Sequence, residues 1–416
     1  MSEPTVEQAG QGICLGWPTN SVSLLFDRIV ERSDGTHAEV TPILNGANYP
    51  TPKRLTPSRV NLLSNRSRED WCKRTQKISE HTEIPWDRIL ENSVSYVLAM
   101  FRRGEPAVLL NEETYSQPSF IIKPLVYERL PATVFALAAK GKSLFGLFVC
   151  LLAECGQSAC GLTVSRSHQT LFLDWELDQS LQGFRKQQIV KAHPNLSSAG
   201  PLYRRMYRPL TDELPKIMKL VQEYDISFMV IDSLAPATGG DQIGADGALR
   251  FFEALRLLNV GCLVLAHVPK SAETKSIYGN VFNYNLSRSV WEIQTAQEEN
   301  SAEVRMGFYQ KKNNLGRLHP SFGLQLTFPP GDEELEKGMR FQSYDISEDG
   351  ELSQSLPLRK RLLHVLKNGG QTVKELSETL REEQTKIRAR LHEGKGKFFT
   401  QIQTEGSDVK WGLLQQ

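Results

Sequence analysis

The sequence predicts an α/β protein with a parallel central sheet, and three observations lead to that expectation. Between residues 126 and 330, strand-like apolar segments alternate with helix-like segments, which is typical of strands joined by crossover helices. One strand–turn–helix transition carries a Gly-Lys-Ser turn that ends at Ser143. Acidic or imidazole side chains follow three other strand-like segments, at Glu176, Asp232 and His267. Ligands of open parallel sheets bind at the carboxyl ends of the strands, so these positions are the candidate site.

The composition of the 416-residue chain, with 40% hydrophobic and 23% charged residues, is that of a soluble globular protein. It has no apolar run of roughly 18 residues and no signal-peptide pattern, so we expect a cytoplasmic protein without a membrane span. The net charge of +1 gives no overall nucleic-acid footprint, so any such contact must come from local patches. The spacing of the six cysteines suits neither a zinc site nor a redox pair.

Residues 1–125 are expected to form an α+β accessory region without a chemical motif. The stretch from Val22 to Ile43 is typical of a β-hairpin that turns at Ser33–Thr36. The charged stretch 60–103 predicts helices, the second of them amphipathic. We interpret this region as a domain that packs on the core or on a neighbouring subunit.

The stretch Ala136-Leu-Ala-Ala-Lys-Gly-Lys-Ser143 lies between a strand-like segment and an apolar helix-like segment. This order is that of a P-loop, in which backbone N–H groups at a helix N-terminus surround phosphates. Lys142 would bring a positive charge to the β- and γ-phosphates, and the Ser143 hydroxyl would complete the Mg²⁺ coordination. Alanines at 136 and 139 stand where glycines are common, and alanine resists positive φ. From this stretch alone, an ordinary strand–turn–helix stays open as the alternative.

Four strands and two amphipathic helices are predicted in the first part of the core. The strand candidates are Thr133–Leu137, Thr170–Trp175, Phe228–Ile231 and Gly261–Ala266, and the helices cover 211–223 and 245–258. Three later segments alternate more strictly and suggest an antiparallel extension of the sheet. They lie at Val290–Ile293, Glu303–Phe308 and Phe322–Phe328.

The residues at the strand ends suit nucleotide chemistry. Asp232 could hold a Mg²⁺-bound water, although a strand-end aspartate is often only a turn cap. Glu176 could orient or deprotonate the water that attacks a γ-phosphate, whereas Asp178 could cap the following helix. His267 could sense the γ-phosphate, with a hydrogen-bonded structural histidine as the alternative. Together with Lys142, these positions predict a site for a nucleoside triphosphate and Mg²⁺.

Residues 126–328 resemble the RecA-fold ATPases of the RepA-like hexameric replicative helicases, a group often described as AAA. The most specific match is Asp232-Ser-Leu-Ala-Pro-Ala-Thr-Gly-Gly-Asp241, which resembles the extended Walker B segment of that group. Leu173-Asp-Trp-Glu176 resembles its catalytic-glutamate stretch. Ala266-His-Val-Pro-Lys270 and Lys312-Asn-Asn-Leu-Gly316 resemble its later "HxxK" and "K-x-N-y-G" segments. The resemblance covers about half of the chain and departs from the family at the two P-loop alanines.

The resemblance implies a homo-oligomer, expected as a hexameric ring, with ATP between subunits and a basic finger from the neighbour. Lys312 and Arg288 are the finger candidates, and a solvated surface cation is the alternative for each. Loops 236–248 and 271–287 would face a central channel and contact single-stranded DNA through Lys270 and Lys275. The residues expected to act in catalysis are Glu176, Lys142, Lys312 and Arg288. Nucleotide-binding residues would be Ala136, Ala139, Lys140, Gly141, Lys142, Ser143, Leu144, Asp232 and His267, with Mg²⁺ held by Ser143 and Asp232.

Residues 331–355 are rich in Pro, Gly, Asp, Glu and Ser and are interpreted as a linker. Residues 356–416 predict three helices and a hairpin, which resembles a winged helix-turn-helix, with Thr372 and Glu375 as a capping box. This segment carries 12 Lys and Arg against 7 Asp and Glu, a local charge of +5, which favours duplex DNA as a partner. A protein-contacting role is the alternative. The candidate DNA contacts are Gln384, Lys386, Arg388, Arg390, Lys397 and Lys410.

We therefore expect an ATP-dependent motor that couples hydrolysis to translocation on DNA or to its remodelling. Two alternatives stay open. One is a nucleotide-gated DNA-binding regulator or initiator with little turnover, which the P-loop alanines favour. The other is a non-enzymatic scaffold with a degenerate site.

Overall fold

The computed structural model shows a chain that divides into two compact units, Met1–Tyr115 and Ser116–Gln416. The structure describes residues 3–9, 12–46, 49, 51–103, 107, 109–110, 117–137, 141–198, 200–239, 245–267, 281–329, 331, 336–402 and 409–414. The first unit ends before the predicted boundary at 125. The reason is a small antiparallel pair of Phe120–Ile122 and Val126–Tyr127, whose buried side chains belong to the core of the second unit.

The first unit is a six-stranded antiparallel sheet with two helices. Its strands are β1 (Thr5–Ala9), β2 (Gly12–Trp17), β3 (Val22–Arg32), β4 (Gly35–Leu44), β5 (Lys53–Arg54) and β6 (Ser58–Asn61). The helices are α1 (Asn65–Ser79) and α2 (Trp86–Arg103). The predicted hairpin is confirmed as the β3–β4 pair. The buried rings of Trp17, Trp71 and Trp86 fill the core of this unit.

The second unit is built on a nine-stranded sheet, so the predicted α/β class with a parallel central sheet is confirmed. After the small pair β7 (Phe120–Ile122) and β8 (Val126–Tyr127), the first five strands in chain order are β9 (Pro131–Ala136), β10 (Thr170–Asp174), β11 (Leu202–Arg205), β12 (Phe228–Asp232) and β13 (Gly261–His267). The other four are β14 (Ser289–Ala296), β15 (Glu303–Asn313), β16 (Phe322–Thr327) and β17 (Arg340–Tyr344). Their order in space is β11-β10-β12-β13-β9-β14-β15-β16-β17.

Helices cover both faces of the parallel part of this sheet. They are α3 (Lys142–Cys155), α4 (Gln179–Ala192), α5 (Leu210–Glu223), α6 (Leu234–Ala237), α7 (Ala245–Leu258) and α8 (Val281–Leu286). Along β12, Phe228 and Val230 pack with α3, whereas Met229 and Ile231 pack with α5 and α7. Successive side chains of a strand point to opposite faces, so a fully apolar strand fits only between two helical layers. Among the described helices, none is long and apolar enough to cross a membrane.

The antiparallel extension begins one strand later than predicted. β14 runs parallel to β9 and antiparallel to β15, whereas β15, β16 and β17 form the antiparallel part. The chain passes through α8 before it enters β14, and such a crossover returns it to the edge from which parallel strands start. The β14–β15 connection is the first in this sheet to reverse the direction of the chain.

The stretch 331–355 was expected to be a linker, and its described part belongs to the sheet and its packing. β17 pairs with β16 at the sheet edge. The residues that follow bury Ile346 and Leu352 against Tyr309, and the Tyr309 hydroxyl donates a hydrogen bond to the Leu352 carbonyl. Only a few apolar residues, spaced among acidic and small ones, make this packing. The composition of the stretch is therefore that of a linker and does not predict its burial.

Residues 356–416 form a small module with its own apolar core. Its helices are α9 (Leu358–Val365), α10 (Val373–Leu380) and α11 (Gln384–Glu393), and its strands are β18 (Gln371–Thr372), β19 (Phe399–Ile402) and β20 (Lys410–Leu413). The strands form one sheet in the order β18-β20-β19. The predicted capping box is confirmed, since Glu375 N donates to Thr372 Oγ1 and Thr372 N donates to Glu375 Oε2. The core side chains are Leu362, Leu366, Leu376, Leu380, Ile387, Leu391, Phe399 and Trp411.

Candidate active site

The sheet order brings the polar strand ends to one edge. β12 and β13 lie between β10 and β9, and Asp174 is in register with Asp232 across the β10–β12 pair. His267 is in register with Ala136 across the β13–β9 pair. All four strands run parallel, so their carboxyl ends meet at the same edge. Residues that are far apart in the chain therefore surround one site.

The turn between β9 and α3 ends at Gly141, which has a left-handed φ of 73° and is the N-cap of α3. A Cβ at this position would lie 2.7 Å from Met306 Cε, the end of a flexible side chain that can shift, so it is the positive φ that favours glycine here. Ala136 is the buried last residue of β9, and Leu144 is buried within α3. The predicted nucleotide-binding residues Ala139 and Lys140 lie outside the described residues.

Lys142 is withdrawn into its own turn. Its side chain is 5% exposed, and Nζ donates hydrogen bonds to the carbonyls of Ala136 (3.2 Å) and Leu137 (2.7 Å). Burial lowers the pKa of Lys142 to about 8, and the carboxylates of Asp232 and Glu176 act in the opposite direction. An anion placed over the turn would offset this desolvation, because it favours the charged ammonium.

Asp232 is buried, and one of its oxygens has no partner. Its Oδ2 atom has no hydrogen bond among the described residues, and the Ser143 hydroxyl lies near the carboxylate. Burial raises the pKa of Asp232 to about 7, and the Ser143 hydroxyl opposes that rise. An orphaned carboxylate oxygen beside a hydroxyl is a set of hard oxygen donors that suits Mg²⁺ and its waters. These residues therefore fit the metal that the sequence implies.

Glu176 accepts two hydrogen bonds on one carboxylate oxygen. Ser233 Oγ donates to Oε1 over 2.8 Å, and His267 Nε2 lies 3.1 Å from the same oxygen. The hydrogen bond from His267 lowers the pKa of Glu176; burial opposes this effect, and the Ser233 hydrogen bond adds to it. The carboxylate is therefore kept ionised, as a general base must be before it takes a proton.

Asp174 holds the loop that carries Glu176. It is completely buried, and its Oδ1 atom accepts hydrogen bonds from the backbone N–H groups of Glu176 and Leu177, each over 2.8 Å. Its Oδ2 atom accepts from Gln182 Nε2 on α4. Asp178 caps α4 by accepting from the backbone of Leu181, the role that the sequence left open for it.

Arg185 on α4 is a site residue that the sequence analysis missed. Its NH1 atom is buried without a hydrogen-bond partner among the described residues. Burial lowers the pKa of this guanidinium, and the carboxylates of Asp232, Asp174 and Glu176 oppose that effect. The arginine thus belongs electrostatically to the acidic cluster. No spacing in the sequence indicates this, because Arg185 lies on a helix whose apolar pattern is weak.

The two candidates for the basic finger differ in their surroundings. Lys312 Nζ donates to three carbonyls, those of Tyr284 (2.9 Å), Asn285 (2.7 Å) and Ser287 (2.9 Å), at the end of α8. All three ammonium hydrogens are used, so Lys312 stabilises α8 in its own chain. Arg288 is half-buried and forms no ion pair within the described parts of the chain.

The candidate DNA contacts are only partly described. Lys270 and Lys275 lie outside the described residues. The described parts of the two expected channel loops belong to helices: the end of α6 and the start of α7 in loop 236–248, and α8 in loop 271–287. On α11 the candidates Gln384, Lys386, Arg388 and Arg390 are all exposed, as is Lys397, whereas Lys410 on β20 is half-buried. Lys386 pairs with Glu383, the N-cap residue of α11, and Arg390 pairs with Glu393 on the helix, so Arg388 is the basic residue of that face without such a partner in the described structure.

Ser233 is a second residue that the sequence analysis passed over as part of the site. In the sequence it stands directly after Asp232 in the Walker B-like stretch. Serine at the end of a strand and the start of a helix is usually a helix cap. That ordinary interpretation concealed its hydrogen bond to Glu176, a residue that follows another strand.

A scan against protein-family models found no match, and a search of curated proteins found none either. Among solved structures, the chain is similar to the KaiC-like protein PH0186 from the hyperthermophilic archaea Pyrococcus horikoshii OT3, at 13% sequence identity and a TM-score of 0.39. The similarity covers 55% of this chain and 96% of that chain. What this chain does is therefore inferred from its own residues and their geometry.

Proposed function

We propose that this chain is an ATPase of the P-loop type that acts on DNA. The observation that carries the proposal is the convergence of Lys142, Ser143, Glu176, Asp232 and His267 at one sheet edge. A phosphate-binding cation, two oxygen donors for a metal, an ionised carboxylate and an imidazole are the parts that γ-phosphate hydrolysis requires. These groups come from four strand ends, at the edge where open parallel sheets bind their ligands.

Ser143 and Asp232 would hold Mg²⁺, Asp232 through a bound water. When bound, the metal neutralises charge on the β- and γ-phosphates. The backbone N–H groups at the start of α3, which follow Gly141, would bind the phosphates. Lys142 would exchange its two carbonyl partners for phosphate oxygens.

Glu176 would act as the general base toward a water in line with the γ-phosphate. Asp174 fixes the backbone of Glu176, and Ser233 and His267 fix its side chain. His267 would donate from Nε2 to the terminal phosphate and so detect it. Since His267 is the last residue of β13, its movement would reach the segment that carries Lys270 and Lys275.

A ring of RecA-like subunits is the assembly that the resemblance to RepA-like helicases supports. Each site would then need a cation from the neighbouring copy, and Arg288 is our candidate because Lys312 is occupied by α8. The single-stranded DNA would pass through the centre of a hexamer. Movement along the strand or remodelling of DNA would follow from sequential hydrolysis.

The C-terminal module would bind duplex DNA as a winged helix. Three helices followed by a two-stranded hairpin support this proposal, as do the local charge of +5 and the exposed basic face of α11. In that mode α11 enters the major groove, while the hairpin lies on phosphates.

A nucleotide-gated DNA-binding regulator with little turnover is the second candidate. The buried, self-bonded ammonium of Lys142 and the alanine at the end of β9 favour it, because both make the turn less open to phosphates. It would use the same site for binding and would not need Glu176 as a base.

Steady-state ATP hydrolysis with and without single-stranded DNA separates the two candidates. The motor predicts turnover that DNA stimulates and that Glu176→Gln lowers by about 100-fold or more, as loss of a general base does. Asp178→Asn is the matched control, since asparagine caps a helix equally well and should leave turnover unchanged. Absence of turnover in the wild type would exclude the motor, and particle mass with ATP and DNA would test the hexamer.

A further inference from the structure

The hydroxyl of Ser233 makes an unexpected contact. Ser233 is the N-cap residue of α6, yet its side chain makes no capping hydrogen bond to that helix. Instead, Oγ donates to Glu176 Oε1 over 2.8 Å. Ser233 is 1% exposed, so this donor is shielded from water.

His267 is the other donor to Glu176, and it differs from Ser233 in one respect. Its side chain is 30% exposed, and its Nε2 atom is the group that the proposed function directs to the γ-phosphate. One N–H cannot donate fully to a carboxylate and to a phosphate oxygen at the same time. When His267 turns to the phosphate, Glu176 keeps Ser233 as its side-chain donor.

Glu176 would lose the hydrogen bond from His267 at the step at which the triphosphate is bound. The bound triphosphate places new negative charge near the carboxylate, which raises the pKa of a nearby acid and repels its ionised form. A general base that drifts or becomes protonated at this stage cannot accept a proton from water. A second, permanent hydrogen bond would prevent both effects.

We propose that Ser233 is a positioning residue for Glu176: it keeps the carboxylate in place and ionised after His267 has transferred its hydrogen bond to the terminal phosphate. This inference rests on the proposed ATP hydrolysis and adds a specific division of labour to it. His267 is the donor that moves, and Ser233 is the donor that stays.

The test compares Ser233→Ala with the wild type in kcat, KM and the pH dependence of kcat. We expect kcat to fall about 10- to 150-fold, the range for loss of a hydrogen bond to a charged group. KM should stay within about twofold, because Ser233 does not touch the nucleotide in this scheme. With saturating Mg²⁺, whose charge keeps Asp232 ionised, the acid limb of the profile should move to higher pH, because losing the donor raises the pKa of Glu176. Ser233→Thr, which keeps the hydroxyl, should restore the position of that limb.

Ser158→Ala is the matched control, because its hydroxyl donates to the Val164 carbonyl in the turn that follows the C-terminal end of α3, away from the site. It should leave kcat and the acid limb unchanged. Unaltered kcat and acid limb in Ser233→Ala would overturn the positioning role while leaving hydrolysis intact. A loss of kcat without a shift of the acid limb would also overturn it, since that result indicates only a packing role. Absence of turnover in the wild type would contradict both the role and the proposed function.

Discussion

The imidazole of His267 lies 3.1 Å from the carboxylate of Glu176, although the two residues are 91 positions apart in the chain. One follows β10 and the other ends β13, and β12 with Asp232 lies between these strands. The contact joins the candidate γ-phosphate sensor to the candidate base. Any change that moves His267 therefore alters the hydrogen bonding of Glu176 directly.

Lys142→Ala is expected to abolish stabilisation by ATP and Mg²⁺. A ligand at about 100 times its Kd stabilises a protein by about 2.7 kcal/mol, and the positive charge on Lys142 is the main attraction for the phosphates. Thermal unfolding with and without nucleotide measures the effect. Lys219→Ala on the exposed face of α5 is the matched control and should keep the full shift. An undiminished shift in Lys142→Ala would show that the nucleotide binds elsewhere.

Asp232 should make the nucleotide-free protein less stable as the pH rises from about 4 to about 7. Burial raises the pKa of Asp232 from 3.8 to about 7, so within this window the folded protein holds a proton that the unfolded chain has lost. Asp232→Asn removes that proton and its linkage. Relative to the wild type, the variant should gain about 5 °C or more in Tm between about pH 5 and pH 7.5. Asp246→Asn on α7, an exposed carboxylate, is the control. Parallel pH dependences of wild type and Asp232→Asn would refute the assignment.

Arg288→Ala is expected to lower kcat by about 100-fold or more if Arg288 completes the site of a neighbouring copy. Mixing Arg288→Ala with Lys142→Ala should then restore part of the activity, because some interfaces combine an intact Lys142 with an intact Arg288. Hydrolysis by the mixture, measured against each variant alone, checks this. Activity equal to the mean of the two variants would argue against a finger in trans.

Lys312→Ala should behave differently in the same experiment. Its ammonium holds the end of α8 within one chain, so the variant should lose thermal stability, by about 1–3 kcal/mol for carbonyls left without their donor. Mixing Lys312→Ala with Lys142→Ala should not restore that stability. Recovery of ATP hydrolysis in the mixture would instead indicate that Lys312 acts across subunits.

Arg388→Ala should weaken binding to duplex DNA and reduce its dependence on salt. A residue that neutralises one phosphate contributes about 0.9 to the slope of log K against log salt. Titrations at several salt concentrations therefore measure its contact more directly than affinity at one concentration. Lys374→Ala on the exposed side of α10 is the control, and an unchanged slope in Arg388→Ala would remove α11 from the proposed DNA interface.

The local pattern of the sequence was enough to predict most elements of the site. The strands that end near Ala136, Asp174, Asp232 and His267 are short and apolar, with a polar residue at the end. Such segments are buried whatever their neighbours are, so periodicity and the position of the first polar residue predict them. The capping box at Thr372 was predictable for the same reason, because both partners lie within one helical turn.

The sequence by itself determined which chemical groups stand at the strand ends, because that depends only on neighbouring residues. The tertiary structure decided which of these groups touch. The order of the strands places β12 between β10 and β13, and it is this order that lets Ser233 donate to Glu176 and His267 reach the same oxygen. The tertiary structure also places Arg185 near the acidic cluster and surrounds the Lys312 ammonium with carbonyls. Long-range packing brings such residues together, and their separation in the chain gives no local pattern from which the contact could be predicted.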